Sequence, residues 1–334
     1  MLDFQKLKEI ILQHSSFLLT THVNPDADAI GSEIAFYQLL KKLNKKVRIV
    51  NHSITPYNLL FLDVDKKIEH FSEDEHSTIF NDTDVIIALD FNRADRVVRM
   101  KDGFISSSKI KICIDHHQDP ENVFHEKFVD TSYSSTGEII FDFIKQTKIV
   151  ELDYSIALPV YAAIMTDTGS FRFDRTTPEL HRKTAELLEL KVSPTQVFDS
   201  IYDQSKFNKI KLLGKALDSM QLYGEDKQIG YMVLYQDAFK STGALESDTD
   251  GFVNFSLSVE NVKIGLLFIE LKEGFKVSFR SKGNIPMNKL AAEFGGGGHI
   301  NAAGARFYHQ KLIDYLPSIL KKTEEYLKYH NSES

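Results

Sequence analysis

The chain has 334 residues, 42% hydrophobic and 26% charged, the balance of an ordinary globular protein long enough for about two domains. A formal net charge of −7 excludes the broad basic face needed to neutralise long duplex DNA or RNA, so any nucleic-acid substrate is expected to be short. Cys113 is the only cysteine, which excludes an intramolecular disulfide, and between Ile112 and Ile114 it reads as a buried strand thiol rather than a nucleophile. The N-terminus lacks a secretory apolar core and the chain has no run of about 18 apolar residues, so a cytoplasmic protein with no membrane span is expected.

In chain order, the first half alternates apolar strand-like runs with helical periodicity, the pattern of a mostly parallel sheet covered by helices on both faces. Strands are expected at Phe17 to Thr21, Lys46 to Val50, Asp84 to Leu89, Ile110 to Ile114 and Val123 to Val129. Three of them run directly into polar motifs, Thr21 into His22, Leu89 into Asp90 and Ile114 into Asp115, where an open α/β sheet places its ligand crevice. Ser134 to Glu138 reads as a capped helix start of structural purpose. From Asp153 to Tyr223 the pattern turns helical, with runs at Thr177 to Leu190, Pro194 to Tyr202 and a charged connector from Lys206 to Leu222. Strand periodicity resumes at Gln228 to Tyr235, Val262 to Leu271 and Phe275 to Arg280, and a last helix spans Gln310 to Tyr329. The division expected is a first domain over 1–190, a helical linker over 191–223, and a smaller α/β domain over 224–334.

The chemistry concentrates in four segments. His22-Val-Asn-Pro-Asp26-Ala-Asp28 puts an imidazole and two carboxylates at a strand-to-helix turn; hard oxygen ligands with imidazole and no sulfur suit Mn2+ or Mg2+ better than a structural zinc. The same residues also fit a solvated loop in which Asp28 caps the following helix. Asp90 ends a strand of five apolar residues and alone could be a turn residue. Asp115-His116-His117 is sharper, because a buried strand ending in three ionisable groups is costly unless they bind something, and adjacent histidines point in different directions. Asp167-Thr-Gly169-Ser-Phe-Arg172 ends an apolar helical run in a carboxylate, hydroxyls and an arginine, a pattern a simple helix stop also produces.

Taken together these segments resemble the DHH phosphoesterase family, named for the triplet found here as Asp115-His116-His117. Phe294-Gly-Gly-Gly-Gly-His299-Ile-Asn-Ala-Ala-Gly304 is similar to the GGGHxxAAG signature of the DHH-associated C-terminal domain, so the resemblance covers nearly the whole chain. Ala27 stands where many relatives carry Gly, a small-for-small exchange. The resemblance implies one metal on His22, Asp26 and Asp90 and a second on Asp28, Asp90, His116 and Asp167, with Asp90 bridging. It implies two Mn2+ ions, with Mg2+ as the substitute, acting together on a water and a phosphoryl group. Asp90, His117 and Asp115 would form the catalytic group, His117 at a phosphate oxygen and Asp115 orienting a neighbour.

In the second domain, Gly295 to Gly298 can offer backbone N–H groups to an anion, and Gly296, Gly297, Gly298, His299, Arg280 and, from the first domain, Arg172 are the expected substrate-binding residues. Within the family, length and this signature resemble the nanoRNase/pAp-phosphatase group, which trims very short oligonucleotides and dephosphorylates 3′-phosphoadenosine 5′-phosphate (pAp). Such a reading implies short single-stranded RNA or DNA and small nucleotides as partners, no long duplex and no membrane, and leaves a homodimer open. Two rivals stand beside it: a hydrolase of linear dinucleotides from cyclic dinucleotide signalling or of inorganic polyphosphate or pyrophosphate, and a catalytically silent nucleotide- or RNA-binding module. The complete set of ligand positions speaks against the silent module. The base-stacking aromatic cannot be picked among 24 Phe and 13 Tyr from sequence.

Overall fold

Strand order explains why the polar motifs meet. The computed structural model describes residues 2–332, and of His299 and Ser332 the backbone alone. It divides into two units, Met1–Gln204 and Ser205–Ser334. The first is built on a six-stranded parallel sheet of β1 (Ser16–Thr20), β2 (Lys46–Asn51), β3 (Ile68–His70), β4 (Val85–Leu89), β5 (Ile110–Asp115) and β6 (Glu126–Val129). The order is β3-β2-β1-β4-β5-β6, so the winding reverses between β1 and β4. At such a switch point the loops leaving two neighbouring strands diverge and open a crevice at their carboxyl ends. His22 follows β1 and Asp90 follows β4, one on each side of it.

Helices cover both faces: α1 (Phe4–Gln13), α2 (Ala27–Lys42), α3 (Glu73–His76), α4 (Lys101–Ser106), α5 (Thr136–Thr147), α6 (Tyr154–Asp167), α7 (Pro178–Glu189) and α8 (Pro194–Tyr202). Alternate strand residues turn to opposite sides. Phe17, Leu19, Ile87 and Ile112 enter one core with residues of α1, α2, α5 and α6, while Leu18, Ile86, Ala88 and Cys113 enter another with Phe91 and Phe104. Burial on both faces is why these strands read as unbroken apolar runs. Cys113 is the buried free thiol expected, pushed up in pKa by desolvation. Gly31 and Gly137 allow a close approach: a Cβ on the first would lie 2.4 Å from the Pro159 carbonyl oxygen, and on the second 2.5 Å from the Ala163 Cβ. That proximity to α6 seats α2 and the start of α5 beside one another.

Behind the crevice, the fully buried Glu33 on α2 accepts from the Asn51 side-chain amide (2.8 Å), and Asn51 Oδ1 accepts from the Thr21 N–H (3.1 Å) at the end of β1. Glu33 Oε1 has no hydrogen-bond partner. Desolvation carries this carboxyl from 4.5 to about 8, with the Asn51 hydrogen bond opposing. The folded state therefore holds the proton more tightly than the unfolded state. Stability from this group is full below about 4.5 and is lost as pH rises through about 8. Glu33→Gln keeps the acceptor and removes the ionisation. The variant is expected to be more stable than the parent at pH 8.5 by roughly 2 kcal/mol or more, and similar to it at pH 5, in urea melts. Equal gaps at both pH values would show that Glu33 ionises freely in the folded protein.

The second unit is a mixed sheet of β7 (Gln221–Tyr223), β8 (Ile229–Leu234), β9 (Ile264–Leu271), β10 (Gly274–Ser281), β11 (Gly297–His299) and β12 (Ala302–Tyr308) in the order β11-β12-β10-β9-β8-β7. Its helices are α9 (Phe207–Asp218), α10 (Gln236–Thr242), α11 (Asn254–Leu257), α12 (Met287–Ala292) and α13 (Leu312–Ser332). Phe275, Val277 and Phe279 pack toward α12 and α13, and Leu267 and Ile269 pack toward α9 and α10. The stretch 191–223 contains two helices with separate attachments: α8 sends Val197 and Ile201 into the first unit's core, and α9 sends Leu212 and Ala216 into a core of the second. Among the described residues no helix is long and apolar enough to cross a membrane.

Candidate metal centre

His22 leaves β1 with its orientation settled by its own backbone neighbour. Its Nδ1 donates to the Val23 carbonyl (2.9 Å), which leaves Nε2 as the free lone pair, 3.3 Å from Asp90 Oδ2. Burial pushes the imidazole pKa down, against the raising influence of the Val23 hydrogen bond and Asp26, so the neutral, ligating form is favoured. Asp26 is the residue that caps α2, its Oδ1 accepting from the N–H groups of Asp28 and Ala29 (3.1 Å each). Asp28 does something else. Fully buried, it accepts from the N–H of Thr136 (2.8 Å) and of Gly137 (2.9 Å) at the start of α5. It therefore satisfies a second helix's N-terminal donors and lies at the positive end of that helix's dipole.

Asp90 ends β4 with φ 64°, a left-handed conformation that a non-glycine residue holds at some energetic cost. The turn leaves one carboxylate oxygen facing His22, while Oδ1 accepts from the Thr136 hydroxyl (3.0 Å) and lies 3.5 Å from His116 Nε2. At the end of β5, Asp115 is buried. Its Oδ1 accepts from the His116 N–H (2.8 Å) and from His117 Nδ1 (2.7 Å). His116 Nε2 meets three carboxylates, Asp167 at 3.1 Å, Asp90 at 3.5 Å and Asp28 at 3.6 Å, without making a hydrogen bond. His117 is turned outward and half exposed. Asp167, the last residue of α6, closes the ring.

Three groups of candidate ligands converge here: His22, Asp26 and Asp90; Asp28, His116 and Asp167; and Asp90, Asp115, His116 and His117. Crowding shows in the electrostatics. Desolvation, then the charge of Asp167, raises Asp28 to about 7, and desolvation with the charges of Asp28, Asp26 and Asp167 holds Asp90 well above the usual carboxylate range. Burial alone would lower His116, but the surrounding carboxylates overrule it and carry it to about 9. Several carboxylates around two imidazoles, with His116 Nδ1, His116 Nε2 and Asp115 Oδ2 buried and lacking hydrogen-bond partners, fit divalent cations bound by oxygen and nitrogen. A cavity of about 570 Å3 opens beside them, lined by His116, His117 and Asp167 together with Phe173 and Arg175.

Of the other expected residues, Arg172 belongs to the first unit and the rest to the second. Arg172 is exposed, its guanidinium over the Phe173 ring at 5.6 Å. Arg280 lies on β10, half-buried, donating to the Phe279 carbonyl (3.0 Å), with no carboxylate in ion-pair range among the described residues. Gly296 gives its N–H to the Ala291 carbonyl (2.9 Å), and a Cβ there would fall 2.1 Å from the Gly304 carbonyl oxygen. Gly297 and Gly298 pair with Gly304 and Ala303 of β12, the latter glycine at φ 145°. Close strand packing thus accounts for much of the glycine strip. The side chain of His299 lies outside the described residues. Thr136 and Gly137 are site residues that the sequence pattern does not single out: the Ser134 to Glu138 segment reads as a structural cap, and the unpaired N–H groups of a helix start are the signal it offers.

A model of the DHH family, N-terminal domain, matches residues 16–164, and one of the DHHA1 domain matches 229–328. The chain is similar to the bifunctional oligoribonuclease and PAP phosphatase NrnA of Thermus thermophilus, 34% identical over 310 residues covering 92% of this chain and 89% of the relative. The protein of the same name from Bacillus subtilis is 27% identical over 97% of this chain and 99% of its own. An exopolyphosphatase-related protein from Bacteroides fragilis superposes with a TM-score of 0.87 at 30% identity, covering 97% of both chains. Exonuclease RecJ bound to manganese superposes at 0.52 and 12% identity over 98% of this chain and 94% of its own, a likeness of fold.

Proposed function

The chain belongs to the DHH family of phosphoesterases, and from that premise we propose that it hydrolyses very short oligoribonucleotides to mononucleotides and removes the 3′-phosphate of pAp. The observation that carries the reading is Asp90, held in a left-handed turn with one oxygen toward His22 and the other toward His116. That is the placement a carboxylate shared by two cations requires. His22, Asp26 and Asp90 would hold one ion and Asp28, Asp90, His116 and Asp167 the other, with Mn2+ suiting the mixed oxygen and imidazole donors better than Mg2+. When bound, such a pair polarises a phosphoryl group and makes water more acidic.

The remaining work falls to the chain's own groups. His117 donates through Nδ1 to buried Asp115, which fixes its tautomer and leaves Nε2 for the open cavity. As an imidazolium, with the second proton on Nε2, it can donate to a phosphate oxygen or pass that proton to the leaving oxygen. Asn92 steadies the same loop by donating to the carbonyls of His117 (3.1 Å) and Gln118 (2.9 Å). Arg280, with no carboxylate in ion-pair range among the described residues, is assigned with His299 and the glycine strip to a phosphate of the substrate other than the one attacked.

Incubation with Mn2+ and labelled RNAs of graded length, pAp, linear dinucleotides and pyrophosphate tests the assignment. The shortest RNAs should go fastest and pAp should lose its 3′-phosphate. Turnover of pyrophosphate alone would overturn the nucleotide reading. Arg280→Ala should reduce kcat/KM on a dinucleotide about tenfold or more, and far less on bis-p-nitrophenyl phosphate, because remote binding energy is lost. Equal losses on both substrates would place Arg280 in the fold or at the reacting centre.

A further inference from the structure

Next to the cluster the chain makes an unusual turn. Gly169, Ser170 and Phe171 are consecutive left-handed residues, φ 57°, 60° and 63°. Two of them carry side chains, so the conformation needs support. Support comes from the Ser170 N–H to the Met165 carbonyl (2.7 Å), the Phe171 N–H to the Thr168 hydroxyl (3.0 Å), and the Arg172 N–H to the Thr168 carbonyl (2.8 Å). The turn sends Phe171 inward against His181, ring centres 5.5 Å apart. It turns Ser170 and Arg172 outward, three and five residues beyond the candidate ligand Asp167.

Helix α8 meets this turn with a matching surface. It buries Val197 and Ile201 in the core, which leaves Phe198 and Tyr202, one helical turn apart, on its outer side. Their rings lie 4.9 Å apart, and both remain about 40% exposed. Two adjoining hollows of about 340 Å3 each share Ser170 and Phe198; Tyr202, Gly169 and Arg172 line one, and Phe171 and Met165 the other. Gly169 and Ser170, which line the hollow with Tyr202, follow the candidate ligand Asp167 by two and three residues, so the hollow adjoins the cluster along the chain. The size is at the lower end for ligand sites and suits one flat ring system. An exposed aromatic pair with a guanidinium alongside that has no carboxylate in ion-pair range among the described residues is the surface on which a nucleobase stacks while its phosphate is neutralised.

We propose that Phe198 and Tyr202 are the stacking platform for one nucleobase of the substrate, with Arg172 bound to the adjoining phosphate, so that this hollow selects nucleotides over other phosphate esters. The proposal rests on the phosphoesterase reading above. It is tested with pApA and two analogues in which one or the other base is replaced by an abasic tetrahydrofuran residue. Wild-type enzyme with Mn2+ should prefer pApA over one of the analogues by roughly five- to a hundredfold in kcat/KM, the range of a single stacked base. The Phe198→Ala/Tyr202→Ala enzyme should treat that pair alike, within about twofold. Tyr202→Phe should keep the preference, since it keeps the ring. Thermal melts report whether the variants are folded, and single replacements Phe198→Leu and Tyr202→Leu, which retain bulk without aromaticity, carry the test if the double variant is not. Wild-type turnover without base discrimination, or discrimination retained in the leucine or alanine variants, overturns the platform and leaves the phosphoesterase reading intact. Absence of turnover on all three substrates overturns that reading and the platform with it.

Discussion

Replacing Asp90 by Ala should lower kcat on a dinucleotide by about a thousandfold or more, a larger loss than His22→Ala produces. The two oxygens of Asp90 face different imidazoles, 3.3 Å from His22 and 3.5 Å from His116, whereas His22 belongs to one group of candidate ligands and Asp90 to two. Removing the shared carboxylate disconnects both halves. Because Ala tolerates φ 64° poorly, Asp90→Asn is the necessary companion: asparagine adopts the left-handed turn readily and keeps the shape while losing the charge. Both variants should melt as cooperative proteins and fail as catalysts. A near-normal rate in the asparagine variant would make Asp90 a turn residue.

Exhaustive removal of divalent metal should abolish hydrolysis and lower the melting temperature, and returning Mn2+ should restore both. Asp28 and Asp90 are buried among other carboxylates and are held protonated above their ordinary range by desolvation and mutual repulsion. A cation that binds only the folded chain relieves that repulsion and stabilises by mass action, about 2.7 kcal/mol at a hundred times Kd. The same addition should leave the melting temperature of Asp90→Asn nearly unmoved. Full turnover by the metal-free protein would end the two-metal account.

Much of this site was legible because its residues stand where apolar runs stop. Val85 to Leu89 is buried throughout, and a run of that kind ending in Asp90 declares both a central strand and the position of its carboxylate. The same logic found His22 and the Asp115-His116-His117 triplet. The edge strand β3, only three residues and none of them fully buried, carries no such pattern and was missed. So were β11 and β12, whose glycines and alanines serve close strand approach and mimic a flexible loop. The grip of Thr136 and Gly137 on Asp28 joins residues more than a hundred positions apart through backbone N–H groups, which no side-chain pattern records. Phe198 and Tyr202 were visible as helical residues, but their significance depends on the left-handed turn at Gly169 to Phe171, and two of its three residues are not glycine.

If Asp90 joins two metal ions, electron paramagnetic resonance of the Mn2+-loaded chain should register it. The account predicts two Mn2+ per chain at saturation, with the exchange-coupled spectrum of ions sharing a ligand, and loss of that coupling in Asp90→Asn. One magnetically isolated Mn2+ per chain, or no specific binding at saturating metal, would contradict it.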